Sequence, residues 1–294
     1  MKREHDMDDD ANHLACTIAF FSPSGSTRRL ADVMEAEIRQ SGWTIQTLDL
    51  GKGDGKSLPA RDLEQGGKLL LIIGSPVYKD LAAPPVMEFL KRLPEASAGE
   101  VRYALPFVTW GGVTSGVALW QMARELEKKG FDVVGAATVP AVHSLMWDCE
   151  DAMGQGHPDE QDEIAVAGLI CDVLAILKKG GAPSLSPEDL DNQPPEQAAE
   201  MKRKIHQPPP AIPKTLVPES CTRCGICADA CPAGAIALLP DPLFGPSCVD
   251  CLTCLRVCPE GAIEVPALNG IHDRIRKRAD GIREILIPWV YLAG

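Results

Sequence analysis

Eight cysteines between residues 221 and 258 constrain this sequence more than any other feature. They form two runs of the same spacing, Cys-x-x-Cys-x-x-Cys-x-x-x-Cys-Pro, and the second run starts at Cys248, 27 residues after Cys221. The residues around the last cysteine recur too: Pro232, Gly234, Ala235 and Ile236 correspond to Pro259, Gly261, Ala262 and Ile263. Such an internal repeat predicts two copies of one structural unit.

These cysteines are expected to bind metal rather than to form disulfides, because the sequence shows no export signal and the short spacings suit ligation in a reducing cytosol. Zinc usually takes four cysteines from two Cys-x-x-Cys pairs. Here each run has three close cysteines and a fourth before proline, a grouping that zinc does not need. A [4Fe-4S] cluster requires a thiolate at each of four corners. We therefore expect two such clusters.

The region resembles the two-[4Fe-4S] bacterial-type ferredoxin domain over residues 216–266. In that family, the cysteine before proline ligates the cluster of the opposite repeat. The resemblance thus implies the following ligands: Cys221, Cys224, Cys227 and Cys258 for cluster I, and Cys248, Cys251, Cys254 and Cys231 for cluster II.

Residues 14–180 alternate apolar runs with amphipathic helical stripes. This pattern predicts an α/β fold, a five-stranded doubly wound parallel sheet of flavodoxin-like size that helices cover on both faces. The expected strands are 14–21, 44–50, 68–74, 104–110 and 133–139. The ferredoxin-like region would add a small α+β domain.

A loop of small hydroxyl residues, Ser22-Pro23-Ser24-Gly25-Ser26-Thr27, follows the first expected strand and precedes a helix. Helix N-terminal amides and hydroxyl donors can hold a phosphate dianion without a lysine. A serine-rich turn that only caps a helix is equally common, so this loop alone leaves both interpretations open.

Two further loops follow the third and fourth strands: Ser75-Pro76-Val77-Tyr78 and Thr109-Trp110-Gly111-Gly112. Open α/β sheets bind ligands at the carboxyl ends of their strands. Each loop places an aromatic residue beside small residues that permit close approach to a flat ring. Tyr78 and Trp110 are therefore candidates to flank such a ring, although each could be an ordinary core or surface aromatic.

The first loop resembles the flavodoxin fingerprint Thr/Ser-x-Thr-x-x-Thr, which grips the phosphate of FMN. The resemblance implies FMN as cofactor and these phosphate contacts: Ser22, Ser24, Gly25, Ser26 and Thr27. Over residues 14–265 the order of parts resembles fused flavodoxin-ferredoxin proteins of anaerobic bacteria and archaea. Residues 156–162 are similar to the Gly-Arg-Pro-x-x-x-Asp segment of that family, with His157 replacing arginine.

The chain is expected to divide into an acidic flexible tail (1–13), the FMN-binding domain (14–180), a proline-rich linker (181–215), the ferredoxin-like domain (216–266) and an amphipathic tail (267–294). The linker is too rich in proline for a core element and is expected to be a semi-rigid connector with a short helix over 196–205. The C-terminal tail could pack on the rest of the protein, on a partner or on a membrane surface. Its apolar stripe consists of Ile271, Ile275, Ala279, Ile282, Ile285 and Leu286.

The chain carries 29 basic and 41 acidic residues, a net charge of -12. This charge disfavours nucleic acid and anionic lipid and suits a cationic partner surface. No apolar run reaches the length of a bilayer-spanning helix, so we expect a soluble cytoplasmic protein. Cys16 and Cys171 are expected to be small buried hydrophobes. Cys149, His143 and His272 have no partner at ligand spacing.

Three functions fit these parts. The first is an electron-transfer protein in which two clusters and FMN serve an external redox protein, within one chain or across a homodimer interface. The second is an FMN-dependent reductase of a quinone or nitro-type acceptor, fed by its own ferredoxin domain. The third is a redox-sensing interaction module without flavin. No acid-base or nucleophile constellation stands out, so the sequence predicts no catalytic residue and no specific reaction.

Overall fold

The structure is a computed structural model, and it describes residues 14–51, 68–97, 99–180, 183–266 and 268–294. The expected acidic tail, residues 1–13, lies outside this range. The first seven strands are β1 (Leu14–Phe20), β2 (Thr44–Asp49), β3 (Lys68–Tyr78), β4 (Leu81–Ala82), β5 (Arg102–Trp110), β6 (Asp132–Val133) and β7 (Gly135–Pro140).

Five of these strands run parallel in the order β2-β1-β3-β5-β7, which confirms the expected doubly wound sheet. β3 continues past the expected end at residue 74, because Val77 and Tyr78 pair with β4 in a short hairpin. The expected last strand is divided into β6 and β7, and both pair with β5.

Four helices cover the sheet: α1 (Ser26–Gln40), α2 (Pro84–Arg92), α3 (Ala118–Lys128) and α4 (Glu160–Lys178). α1 and α4 pack on one face, and α2 and α3 on the other, because alternate residues of each strand point to opposite faces. Asp159 and Asp162 cap the start of α4 reciprocally, and Asp162 also bonds His157 Nδ1 at 2.6 Å. Segment 156–162 therefore fixes this helix start.

Two sequence expectations about burial meet different outcomes. Cys16 is buried, as expected, with 2% of its surface exposed. Cys171 was expected to be buried but is exposed on α4, where its Sγ lies 3.8 Å from the carboxylate of Glu37. α4 carries apolar residues on its solvent side as well, including Ile164, so its pattern does not fix which positions face the core.

The proline-rich segment is more than a connector, and the expectation that it contributes nothing to a core is wrong. It contains a 3-10 turn (Pro187–Leu190) and α5 (Pro195–Arg203). Leu190 is 1% exposed and joins the core of the sheet, while Ala198 and Met201 are each 3% exposed. An amphipathic turn and helix between prolines can bury one face although the prolines exclude them from a sheet.

The cysteine-rich region contains six short elements: β8 (Thr215–Leu216), α6 (Ile226–Asp229), β9 (Ile236–Leu238), β10 (Pro242–Phe244), α7 (Thr253–Val257) and β11 (Ile263–Glu264). β8 pairs with β11, and β9 with β10, both antiparallel. Each repeat supplies one cysteine loop, one helical turn and one strand after its Cys-Pro pair. This is the small α+β unit that the internal repeat predicted.

The C-terminal tail packs on the rest of the protein. α8 (Leu268–Ile282) buries Ile271 and Ala279, and β12 (Trp289–Leu292) pairs antiparallel with β7 at the sheet edge. The stripe was expected to include Ile285, but this residue lies beyond the helix and is 69% exposed. Among the described helices, none has the length and apolar character to cross a bilayer.

Candidate functional site

A cavity of about 210 Å³ lies at the carboxyl edge of the parallel strands, where open α/β sheets bind ligands. Tyr78, Trp110 and His143 line it from the ends of β3, β5 and β7. Val249 lines it from the second cysteine loop, and Ile275 from α8. Three parts of the chain that are distant in sequence therefore meet at one cavity.

Some of the predicted cofactor-binding residues line this cavity, whereas others do not, namely Ser22, Gly25, Ser26, Thr27, Ser75 and Gly112. Those that line it are Ser24, Pro76, Val77, Tyr78, Thr109, Trp110 and Gly111. Ser75 is fully buried: its Oγ accepts from the Ala83 amide at 2.8 Å and donates to the Pro76 carbonyl at 2.9 Å. Ser75 therefore shapes the β3–β4 hairpin.

The hydroxyl loop turns sharply into α1. Gly25 adopts φ 91°, a left-handed conformation that favours glycine, and no side chain caps the helix at this position. The first amides of a helix have no acceptor within it. The Ser22 hydroxyl accepts from the Arg28 amide at 2.9 Å, and the hydroxyls of Thr27 and Thr109 are 2.8 Å apart. These bonds hold the loop against β5.

The glycines after β5 permit close packing around the cavity. A Cβ on Gly111 would lie 2.7 Å from Cδ2 of His143, and one on Gly112 would clash with the Gly154 nitrogen. Trp110 is 1% exposed, and its Nε1 has no hydrogen-bond partner within the described residues. A buried N–H of this kind calls for an acceptor, which a polar ring in the cavity would supply.

His143 is a site residue that the sequence did not single out. Its Nδ1 accepts from the Leu145 amide at 3.2 Å. Burial lowers the pKa of His143 to about 4, and the positive charge of Arg278 acts in the same direction. The ring is therefore neutral near pH 7 and carries its proton on Nε2. The one sequence signal for His143 was its position, three residues after the end of a strand.

The eight clustered cysteines line two further cavities. Cys221, Cys224, Cys227 and Cys258 line one, which we call the cluster I cavity. The other, the cluster II cavity, is lined by Cys231, Cys248, Cys251 and Cys254. This grouping agrees with the cross-ligation that the ferredoxin resemblance implies, and the ligand assignment itself stays a prediction.

Val249 lines both the large cavity and the cluster II cavity. It is 7% exposed and packs, with Cys251, in the hydrophobic core that includes α2 and α3. The second cysteine loop is thus part of the wall between the two cavities. The residues that line the cluster I cavity do not line the large one.

Charged contacts hold the second cysteine loop in place. The Asp250 carboxylate lies 2.9 Å from Lys79 Nζ and 2.8 Å from Lys214 Nζ, and it accepts from the Ile212 amide at 3.1 Å. On α7, Arg256 Nη2 donates to the Pro23 carbonyl of the hydroxyl loop at 3.0 Å. The cysteine-rich unit therefore touches the hydroxyl loop directly.

Residues 215–237 match the family described as 4Fe-4S binding domain. The chain joins a flavodoxin-like fold to a ferredoxin-type 4Fe-4S region. The flavodoxin-like part is identified by the strand order of its sheet, and the ferredoxin-type part by the matched family. A comparison with curated proteins finds no match to the chain.

Solved structures similar to the fusion cover its N-terminal part. An archaeal flavodoxin is 16% identical over 56% of this chain and 99% of its own, with a TM-score of 0.42. Rubredoxin oxygen:oxidoreductase from Desulfovibrio gigas is 18% identical over 57% of this chain and 37% of its own, with a TM-score of 0.42. Flavodoxin 2 from Bacillus cereus is 15% identical over 55% of this chain and 98% of its own, with a TM-score of 0.40.

Proposed function

We propose that this protein transfers electrons between an external redox protein and FMN through two [4Fe-4S] clusters held in the same chain. The observation that carries the proposal is the position of Val249, which lines both the large cavity and the cluster II cavity. A cofactor in each cavity would have a single side chain between them at this point.

The residues around the large cavity fit FMN. Ser24 and the first amides of α1 would hold the phosphate, and the buried Trp110 Nε1 would meet a polar atom of the ring. Burial raises the pKa of Tyr78, so its hydroxyl stays protonated beside the ring. When bound, the clusters carry single electrons and the flavin one or two, which suits conversion between one-electron carriers and two-electron delivery.

The cluster I end is the proposed contact for the external partner. Cys224 is exposed, and Ile226 beside it is 42% exposed. None of the residues that line the cluster I cavity lines the large cavity. This arrangement supports different roles for the two proposed clusters, with cluster I toward the partner and cluster II toward the flavin.

Electron transfer is preferred to a reductase because segments of the chain itself already line the large cavity beside the proposed flavin. Ile275 and Arg278 of α8, together with Val249 and Asp250, form part of its wall. Arg278 is fixed there by the Asp80 carboxylate at 2.6 Å. A quinone or nitro compound would have to share the cavity with these side chains and the ring.

Anaerobic purification followed by rapid reduction tests the proposal. We expect about eight irons and one FMN per chain. With a reduced ferredoxin as donor, Cys224→Ser should slow the entry of electrons into the protein. Cys251→Ser should leave that entry intact and slow the later bleaching of the flavin.

Three outcomes would overturn the proposal. A chain purified with its clusters but without flavin would favour the sensing module. Saturable, selective turnover of one compound in a panel of quinones and nitro compounds would favour the reductase. Flavin bleaching at an unchanged rate in Cys251→Ser would show that cluster II does not serve the flavin.

A further inference from the structure

Asp148, Cys149 and His272 form a cluster of metal-ligand side chains that the cavities described above do not use. Asp148 and Cys149 lie in the loop after β7, and His272 lies on α8. Cys149 Sγ is 3.3 Å from His272 Nδ1 and 3.9 Å from Asp148 Oδ1. One ligand atom of each residue lies within 4.8 Å of the others.

The His272 ring is held with a free lone pair toward the thiol. Its Nε2 is 2.6 Å from the Leu145 carbonyl oxygen. That oxygen can only accept, so Nε2 carries the proton and the neutral ring keeps Nδ1 unprotonated. Histidines that bind metal usually donate their second N–H to a carbonyl or carboxylate in this way. His272 is 6% exposed, which fixes the ring in this orientation.

We propose that these three side chains bind one divalent cation of the zinc type. Tetrahedral bonds of about 2.0–2.3 Å place ligand atoms about 3.5 Å apart, and the two separations at Cys149, 3.3 and 3.9 Å, lie on either side of that value. A thiolate, an imidazole and a carboxylate favour zinc over magnesium or calcium. Thiolate and carboxylate together balance the double positive charge.

The positive charge of Arg276, which lies beside Cys149, is offset by a carboxylate outside the three ligands. Its Nη2 is itself paired with Asp151 at 2.7 Å. Asp148 is exposed, so water can complete the coordination.

A metal here would fasten the loop after β7 to α8. Both segments line the large cavity, the loop through Leu145 and the helix through Ile275. The ion would therefore act as a structural clamp on the outer wall of the proposed flavin site. This role rests only on the geometry of the three ligands and holds whether or not the cavity takes FMN.

Thiol alkylation on the full, cluster-loaded chain under anaerobic conditions tests the site. Iodoacetamide is added with and without zinc chloride, and each cysteine is followed by peptide mass spectrometry. Free zinc at about ten times its dissociation constant leaves about one site in eleven empty, so Cys149 should be alkylated about tenfold more slowly. Cys171 is the internal control, because its thiol is exposed and, like that of Cys149, lies beside a carboxylate, here that of Glu37.

His272→Gln keeps a donor for the Leu145 carbonyl and removes the ligand nitrogen, so zinc should no longer protect Cys149. Unchanged iron content shows that His272→Gln is folded. If that variant does not fold, Asp148→Asn, at an exposed position, gives a second test. The proposal is overturned if zinc leaves Cys149 alkylation unchanged, slows Cys171 equally, or still protects Cys149 fully in whichever variant is folded.

Discussion

Arg256 Nη2 donates a hydrogen bond of 3.0 Å to the carbonyl of Pro23. The arginine belongs to α7 of the cysteine-rich unit, and the proline to the loop proposed to hold the FMN phosphate. Arg256 Nη2 also bonds Thr253 Oγ1 at 3.1 Å, which fixes it on its own helix. The proposed flavin site and the proposed cluster II site are thus joined by a side chain as well as by packing.

Arg256→Gln should therefore loosen the hydroxyl loop and weaken FMN binding. Loss of one hydrogen bond from a charged donor costs about 1.5–3 kcal/mol, part of which will appear as faster amide exchange over residues 22–27. We expect FMN affinity, measured by fluorescence titration, to fall about tenfold or more.

Arg223→Gln is the matched control for this change. Arg223 lies on the same unit but pairs with Asp241 at 2.7 Å and is largely exposed. The Arg223→Gln substitution removes the same positive charge but leaves the contact between Arg256 and Pro23 in place. Equal losses of FMN affinity in the two variants would mean that net charge, rather than the Pro23 contact, governs binding.

Asp250→Asn should destabilise the junction between the two units. Lys214 and Asp250 are each 3% exposed, so the substitution leaves a buried ammonium group without its counter-ion. Breaking a buried ion pair in this way costs about 3–5 kcal/mol. The free energy of unfolding from denaturant titration should fall by an amount in this range.

Asp241→Asn provides the comparison, because Asp241 is 35% exposed and its partner Arg223 is 56% exposed. Exposed pairs contribute about 0–1 kcal/mol. A loss at Asp250 no larger than that at Asp241 would show that water reaches Lys214 once the carboxylate is gone.

The strands could be predicted from the sequence because burial on both faces demands continuous apolar runs, as in Leu69–Ile73 of β3. The eight cysteines could be recognised as metal ligands because their spacing is local, whereas their grouping across the two repeats was implied only by the ferredoxin resemblance. The proposed site was predicted only in part: the strand-end loops were identified, whereas Val249, His143 and Ile275 were not. Their proximity to Trp110 depends on how segments that are distant in sequence pack together, and a local pattern of residues does not show this.

β12 shows the same limit. Its side chains are mostly exposed, with Trp289 at 49% and Val290 at 47%, and Pro288 precedes it. The strand is held by backbone pairing with the free edge of β7. A strand defined by pairing rather than by burial leaves no alternating pattern in the sequence.

A negative charge at Ser24 should repel the FMN phosphate. Ser24 lines the large cavity, and Gly25 leaves the space beside it open. We expect Ser24→Asp to bind FMN at least about tenfold more weakly than the nearly isosteric Ser24→Asn, a difference of about 1.4 kcal/mol. Fluorescence titration of the flavin-free proteins measures both, and equal affinities would move the phosphate away from this loop.

His143 should make stability depend on pH in the acidic range. Its pKa in the folded protein is about 4, below the ordinary 6.5, so the unfolded chain binds more protons between these values. The stabilising contribution is therefore complete above pH 6.5 and is lost as the pH falls toward 4, by about 1 kcal/mol between pH 7.5 and 5.5.

His143→Asn keeps an acceptor for the Leu145 amide and cannot titrate. Denaturant unfolding at several pH values should show a smaller acid-induced loss in this variant than in the wild type. Cluster loss in acid affects both proteins equally and cancels in the difference. Parallel pH profiles would mean that the ring is solvated and titrates normally.

Cys258→Ser and Cys231→Ser should damage different clusters, each in the opposite repeat. Cys258 lines a cavity with Cys224, and Cys231 lines one with Cys251. A serine hydroxyl is a poor replacement for a thiolate at iron, so each variant should lose or alter the cluster on its own cavity. Reference spectra come from Cys224→Ser and Cys251→Ser, which lie in the tight loop of each repeat. In electron paramagnetic resonance of the reduced proteins, Cys258→Ser should match Cys224→Ser, and Cys231→Ser should match Cys251→Ser. The reverse matching would show that each repeat closes its own cluster, and the cavity grouping would then not reflect ligation.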